Sequence, residues 1–299
     1  MNAFWIILTG SLVGASCGLL GCYLVLRRMA MIGDAIAHAV LPGIFLAFWI
    51  AGTRASVPVL LGTAAFGVLT TFLIEWFSRK GNFQADAAIG LVFTFLFAVG
   101  IILISAFAGQ VELDQECVLY GEIAYVPLDI WTTAGGTNLG PRTVWTMGAA
   151  LLLVLLLIVR GYKGLYITTF DPGYAQTLGI HTGRWHYLLM SAVSFTTVLA
   201  FDSVGAILVV AFLIAPAAIA LLLTNRFGVM LLLSVVVAVL ASAAGYGLAA
   251  AINGSVAGAM ATMLGIFFGL AFLFSPSQGV VFKWWRNKNN PVAKSHPSA

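Results

Sequence analysis

Long apolar runs recur from one end of this chain to the other, and no other feature restricts its fold as strongly. A helix of about 20 apolar residues crosses the hydrocarbon of a bilayer. Within lipid the backbone must satisfy its own hydrogen bonds, which makes the helix the natural unit for such runs. Charged residues are 8% of the chain and mean hydropathy is +1.04, whereas a soluble domain carries about 25% charged residues. The chain therefore reads as an all-α, polytopic membrane helical bundle. Spans are expected near 4–26, 31–51, 56–78, 87–109, 142–160, 186–201, 204–224, 228–250 and 255–275. The segments 186–201 and 204–224 are short or broken by Pro216, so eight crossings with a re-entrant piece and nine crossings both fit.

Basic residues orient the bundle, because Lys and Arg accumulate on the cytoplasmic side. With the N-terminus outside, the inner loops hold Arg27, Arg28, Arg79, Lys80, Arg160, Lys163, Arg184, Arg226, Lys283, Arg286, Lys288 and Lys294. That is 12 of the 14 basic residues, with only Arg54 and Arg142 left outside. The first run has no basic region before it and Arg27–Arg28 after it, which suits a retained span better than a cleaved signal. Residues 1–282 are expected to form one transmembrane domain. Residues 283–299 follow a Trp/Lys interfacial anchor as a disordered cytoplasmic tail. Three cysteines build no disulfide framework, and Cys17 and Cys22 read as small apolar packing groups. Glycines four apart (Gly10, Gly14 and Gly18; Gly254 and Gly258; Gly265 and Gly269) read as faces where helices approach closely.

Against this background the polar residues inside spans need explaining. Asp34 and His38 lie four apart, hence on one helix face, and roughly 9 to 15 Å along a helix from Arg28. An ionised Asp at such depth costs about 2.5–3.5 kcal/mol on insertion scales. The pair can be a hydrogen bond holding a helix start, with Gly33 marking an irregular entry, or a proton relay. It can also be a waypoint for a metal ion. Carboxylate plus imidazole suits Mn²⁺, Fe²⁺ or Zn²⁺, and an incomplete ligand set is what passage of an ion requires. Asp202 is expected as a helix N-cap at the outer edge, with a second waypoint as the sharper alternative. Glu75 and Arg79 suggest a local i, i+4 ion pair, Asp86 a cap for the fourth span, and His181 and His186 interfacial roles without a carboxylate nearby.

Two segments do not span. The outer segment 110–141 holds Glu112, Asp114, Glu116, Glu122 and Asp129, half of the ten acidic residues; it is a solvated face, a docking surface or a draw for cations. The inner segment 161–185 carries a short helix signal. Asp171 is placed as N-cap, Pro172 in the first turn and Gly179 as terminator, with Ala175 and Leu178 between them. No HExxH, GxSxG or GxxxxGK[ST] motif is present, so any ATP consumed in transport is hydrolysed by a separate chain.

These residues also carry a family resemblance. GCYLVLRRMAMIGDAIAHAVLPGI (21–44) resembles the signature of membrane permeases from zinc/manganese/iron ABC importers. DAAIGLVFTFLFAVGIILIS (86–105), ELDQECVLYGEI (112–123), DPGYAQTLGI (171–180), VGAILVVAFLIAPAAIALLLT (204–224) and FLFSPSQG (272–279) are similar to further family blocks, with Tyr120 where Phe is usual and Gly173 where an acid is usual. The resemblance implies a bundle of 8–9 transmembrane helices, related in architecture to vitamin B12 and siderophore permeases. It further implies a second permease protomer (identical or paralogous), cytosolic ABC ATPase subunits, and an extracellular or periplasmic metal-binding protein. Glu112, Asp114, Glu116 and Glu122 become the docking candidates for the binding protein. Asp171, Pro172, Ala175, Leu178 and Gly179, or alternatively Pro216, Ala217 and Ala218, become candidates for ATPase coupling. The expected activity is passage of Mn²⁺, Zn²⁺ or Fe²⁺ through a bacterial cytoplasmic membrane, Mn²⁺ slightly ahead. Asp34 and His38 would lie on the path, with Asp202 as a further candidate, and no cofactor would be held permanently. A metal-chelate permease and an ion-coupled secondary transporter are the competing expectations.

Overall fold

The computed structural model describes residues 2–51, 56–81, 83–107, 123–132 and 138–275. Among them are nine long helices: α1 (Asn2–Leu26), α2 (Ile32–Ala51), α3 (Ser56–Lys80), α4 (Ala85–Phe107), α5 (Arg142–Phe170), α7 (Thr182–Val204), α8 (Ala206–Leu223), α9 (Phe227–Ile252) and α10 (Val256–Phe274). A short helix, α6 (Pro172–Thr177), lies between α5 and α7. A 3-10 turn, Val126–Leu128, leads into an antiparallel hairpin of β1 (Ile130–Thr132) and β2 (Asn138–Pro141). Of the long helices, α1, α4, α5, α8, α9 and α10 are long and apolar enough to cross a membrane by composition. Asp34 and His38 lie on α2, Glu75 on α3 and His186 on α7.

The helices sort into two packed groups. α1, α8, α9 and α10 lie against one another, as do α2, α3, α4 and α7, and α5 touches both α1 and α7. In lipid no hydrophobic force drives helices together, so close packing depends on small residues. On α1 they are used in full. A Cβ on Gly14 would come within 2.8 Å of Ala238 and Phe212, and one on Gly21 would run into the Leu213 carbonyl oxygen. The other expected glycine faces differ: a Cβ on Gly265 or Gly269 would meet nothing within 4 Å. These two glycines are not where the described helices meet.

Several contacts bring alternate helix ends together. Phe227, at the start of α9, is ringed by Tyr23 of α1 and by Tyr166 and Phe170 of α5. The Ser275 hydroxyl beyond α10 donates to the Leu222 carbonyl of α8. This end of the bundle also carries Arg27, Arg28, Arg184 and Arg226. At the opposite end Gly140 (φ +86°) lets the hairpin lie on the Trp5 ring of α1. Among the described residues, several arginines thus gather at the Phe227 end of the bundle.

Four local expectations are corrected. α5 runs to Phe170 rather than ending near 160, because Gly161 and Gly164 give it a smooth face for the Trp185 ring of α7. α8 is continuous through Pro216, which a membrane helix tolerates when neighbours cover the disturbed turn. Asp202 lies in the last turn of α7, and Gly205 (φ +81°), not Asp202, is the N-cap of α8. Asp86 falls in the first turn of α4 rather than before it.

The glycine packing predicts a contrast. Gly21→Ala should lower the stability of the solubilised protein by about 1–3 kcal/mol or more, because backbone rather than a flexible side chain would have to move. Gly265→Ala should be neutral. Thermal unfolding followed by size-exclusion fluorescence checks both.

Candidate functional site

The site begins at the turn between α1 and α2. Arg28 adopts a left-handed conformation (φ +59°), the Met29 amide donates to the Leu24 carbonyl (2.9 Å), and the Arg28 amide donates to the Val25 carbonyl (3.1 Å). This paired pattern is a Schellman ending, here built on a non-glycine residue. It reverses the chain so tightly that α2 starts at Ile32 and Asp34 falls in its first turn, where a carboxylate suits the positive helix end. A Cβ on Gly33 would run into the Leu213 side chain, so the entry of α2 rests on α8.

One helical turn on, His38 Nε2 lies 3.4 Å from Asp34 Oδ1, with the side chains 28% and 31% exposed. The imidazole sits against two rings of α4, Phe93 at 5.3 Å and Phe97 at 5.8 Å between centroids. The expected pair is therefore formed. It is bounded on the α4 side by aromatic surface and partly open in the single protomer.

The structure adds a second carboxylate–imidazole pair. His186 Nε2 of α7 lies 3.6 Å from Glu75 Oε2 of α3, both side chains largely buried. The expectation of no carboxylate near His186 is corrected, since α3 and α7 pack directly and Ser194 of α7 also donates to the Ala64 carbonyl of α3. Arg79, the partner expected for Glu75, has its side chain outside the described residues. Arg27, the C-cap of α1, reaches into the same cluster. Its Nε and one terminal nitrogen donate to Thr169 and Thr168 of α5, each at 3.1 Å, and the other terminal nitrogen lies 3.4 Å from His186 Nδ1. A cavity of about 260 Å³ adjoins the pair, lined by Met29, Ile32, Thr71, Ile74, Glu75, Ser78, Ile89 and His186. Three sequence-distant helices supply its charged and imidazole side chains, so no spacing in the sequence points to them. The only signal is that each residue is an isolated charge or imidazole in an apolar helix or at its end.

The remaining candidates divide. Among the described residues no group of three or more His, Cys, Asp or Glu side chains could hold a metal ion. Glu112, Asp114, Glu116 and Glu122 lie outside the described residues, as does the Asp202 side chain. Asp171 caps α6, its carboxylate accepting from the Tyr174 amide at 2.9 Å. Gly179 (φ +75°) closes the helix with a second Schellman pattern, Ile180 to Ala175 and Gly179 to Gln176. Ala175 is buried, while Tyr174 and Leu178 are half exposed. Pro216 and Ala217, by contrast, are buried within α8 and offer no outer surface.

The model of a family described as the ABC 3 transport family matches residues 2–275. The chain belongs to that family. Among its relatives, the manganese transport system membrane protein MntD of Bacillus subtilis is 49% identical over 285 residues, covering 95% of this chain and 96% of that protein. The zinc transport system membrane protein TroD of Treponema pallidum is 44% identical over 92% of this chain and 75% of its own length. The solved structure of PsaBC from Streptococcus pneumoniae in complex with Fab contains a chain that superimposes with a TM-score of 0.76 at 31% identity, covering 95% of this chain and 94% of that one. The chain is thus a multi-pass membrane permease subunit of the metal-type ABC importer family.

The Asp171 cap gives a local prediction. Asp171→Ala should destabilise α6 by about 0.5–2 kcal/mol and speed amide exchange over residues 174–178, while Asp171→Asn should keep most of the protection. Hydrogen–deuterium exchange resolved by peptide distinguishes the two.

Proposed function

We propose that this permease passes a divalent transition-metal ion, Mn²⁺ before Zn²⁺ or Fe²⁺, into the cytoplasm in a cycle driven by ATP hydrolysis on a separate subunit. The observation that carries the reading is the Asp34–His38 pair, a carboxylate and an imidazole 3.4 Å apart in an apolar bundle. Oxygen and nitrogen donors suit these cations, and two donors make a partial sphere that an ion can leave. The manganese and zinc transport proteins among the relatives support the same cargo class. The partial exposure of the pair fits a path shared with a second protomer, which would supply the facing wall.

The remaining parts of the machine follow from the ends of the bundle. The basic end is assigned to the cytoplasm by the preference of Lys and Arg for that side, which places the N-terminus outside. α6 lies at the basic end with Tyr174 and Leu178 presented outward, and this surface is assigned to the ATPase. The buried Pro216–Ala217 segment is not. The acidic stretch Glu112, Asp114, Glu116 and Glu122 is assigned to docking of an extracellular or periplasmic metal-binding protein.

Asp34→Ala and His38→Ala should each abolish Mn²⁺ uptake in cells while the protein still inserts in the membrane; unimpaired uptake by both variants would remove the pair from the path. Competition among Mn²⁺, Zn²⁺ and Fe²⁺ in the same assay orders the cargo. Deleting residues 171–179 should leave ATP hydrolysis running without transport in the reconstituted complex, and normal coupling there would free α6 of its assigned role.

A further inference from the structure

The cavity beside Glu75 and His186 lies just beyond the Asp34–His38 pair on the way to the basic end. Ile32, two residues before Asp34 on α2, lines it, as does Ile89 of α4, one turn before the Phe93 ring that touches His38. An ion leaving Asp34 and His38 toward the basic end therefore meets Glu75, His186 and the hydroxyls of Thr71 and Ser78 next. We infer that Glu75 and His186 form a second, weaker cation site, a release station for a borderline divalent metal ion, and that Arg27 is the residue that keeps it weak. The inference rests on the metal path proposed above, and it assigns that path an exit.

The argument is one of charge and ring geometry. With neutral imidazoles, Asp34 and His38 carry a formal charge of −1. Glu75 faces His186, which the Arg27 guanidinium also approaches, and the formal charges of these three side chains sum to zero. A dication is attracted to the first pair and less so to the second, because a fixed positive charge in a poorly screened interior acts at full reach. Arg27 also sets the His186 ring. A guanidinium only donates, so Nδ1 at 3.4 Å accepts from it and the ring proton sits on Nε2, facing Glu75. A cation binds Nε2 only when that proton leaves and Nδ1 takes one up, with Arg27 turned aside and the ring charge unchanged. In the described arrangement Arg27 thus holds the Nε2 proton toward Glu75 and against a cation. Occupancy by a cation loosens the link from the α1–α2 turn and α5 to α7, and the return of Arg27 expels the ion.

The test uses full-length permease in nanodiscs with Mn²⁺ alone as the probe, read by the loss of its free electron-spin-resonance signal. In an Asp34→Asn/His38→Gln background a weak Mn²⁺ site should persist. Adding Glu75→Gln or His186→Gln should weaken it at least about fivefold, and adding Arg27→Gln should tighten it at least about tenfold, while Arg27→Lys, which keeps the charge, should not tighten it. Unchanged Mn²⁺ binding in both Glu75→Gln and His186→Gln overturns the inference, as does weaker binding in Arg27→Gln. Should Arg27→Gln fail to fold, the Glu75 and His186 variants still decide. Cell uptake separates the two claims. Loss of uptake in the Asp34/His38 variant together with unchanged residual Mn²⁺ binding in the Glu75 and His186 variants sinks the exit station alone. Full uptake in the Asp34/His38 variant sinks the path itself.

Discussion

The Arg27 guanidinium ties together one end of the bundle. It stands at the C-cap of α1, donates to two hydroxyls of α5, and reaches the imidazole of α7, which in turn faces a carboxylate of α3. A guanidinium near the edge of an apolar bundle is costly unless its donors are met. The two threonines can meet it because each hydroxyl gives its own proton to a carbonyl one turn back, Thr168 to Gly164 at 2.7 Å and Thr169 to Leu165 at 2.6 Å, leaving its oxygen free to accept. The requirement to satisfy one cation thus fixes the relative placement of α1, α5 and α7, and through Glu75 that of α3. The Schellman turn follows from the same placement, since Arg27 must end α1 before it can turn back toward α5.

Much of the fold was legible because a membrane leaves few options. Apolar runs give helices, and each of the nine expected spans overlaps a long helix. The α6 helix was legible in detail, since Asp171, Pro172 and Gly179 each act through the backbone within a few residues. What could not be read was of two kinds. The end of α5 and the continuity of α8 through Pro216 depend on partners, the Trp185 ring against Gly161 and Gly164 and the burial of Pro216 among neighbours. Propensity carries no information about either. Glycine spacing misled for the complementary reason: Gly14 and Gly265 look alike in sequence, and only the presence or absence of a facing helix separates them.

The candidate site shows the same division. Asp34 and His38 share one helix, so their pairing follows from the 3.6-residue period alone. Glu75, His186 and Arg27 come from three elements, and their meeting is a product of the tertiary fold. The sequence expectation gave Glu75 a local partner and His186 none, because i, i+4 reasoning sees only one helix at a time.

An incomplete ligand set also bears on which ion can pass. For a given set of nitrogen and oxygen donors, Zn²⁺ binds more tightly than Mn²⁺ or Fe²⁺. A path built from complete, closed sites would therefore fill with Zn²⁺ and stall, whatever its intended cargo. On the proposed path, two donors at Asp34 and His38, partly exposed, would leave part of the coordination sphere to water, and the advantage of Zn²⁺ would shrink with each donor withheld. At the inferred exit station the Arg27 charge beside His186 would act in the same direction, by making that pair poorer still for any dication. On that reading the permease gains throughput by binding badly, and selection among metals falls to steps outside the two pairs, including the rate at which each ion sheds and regains water.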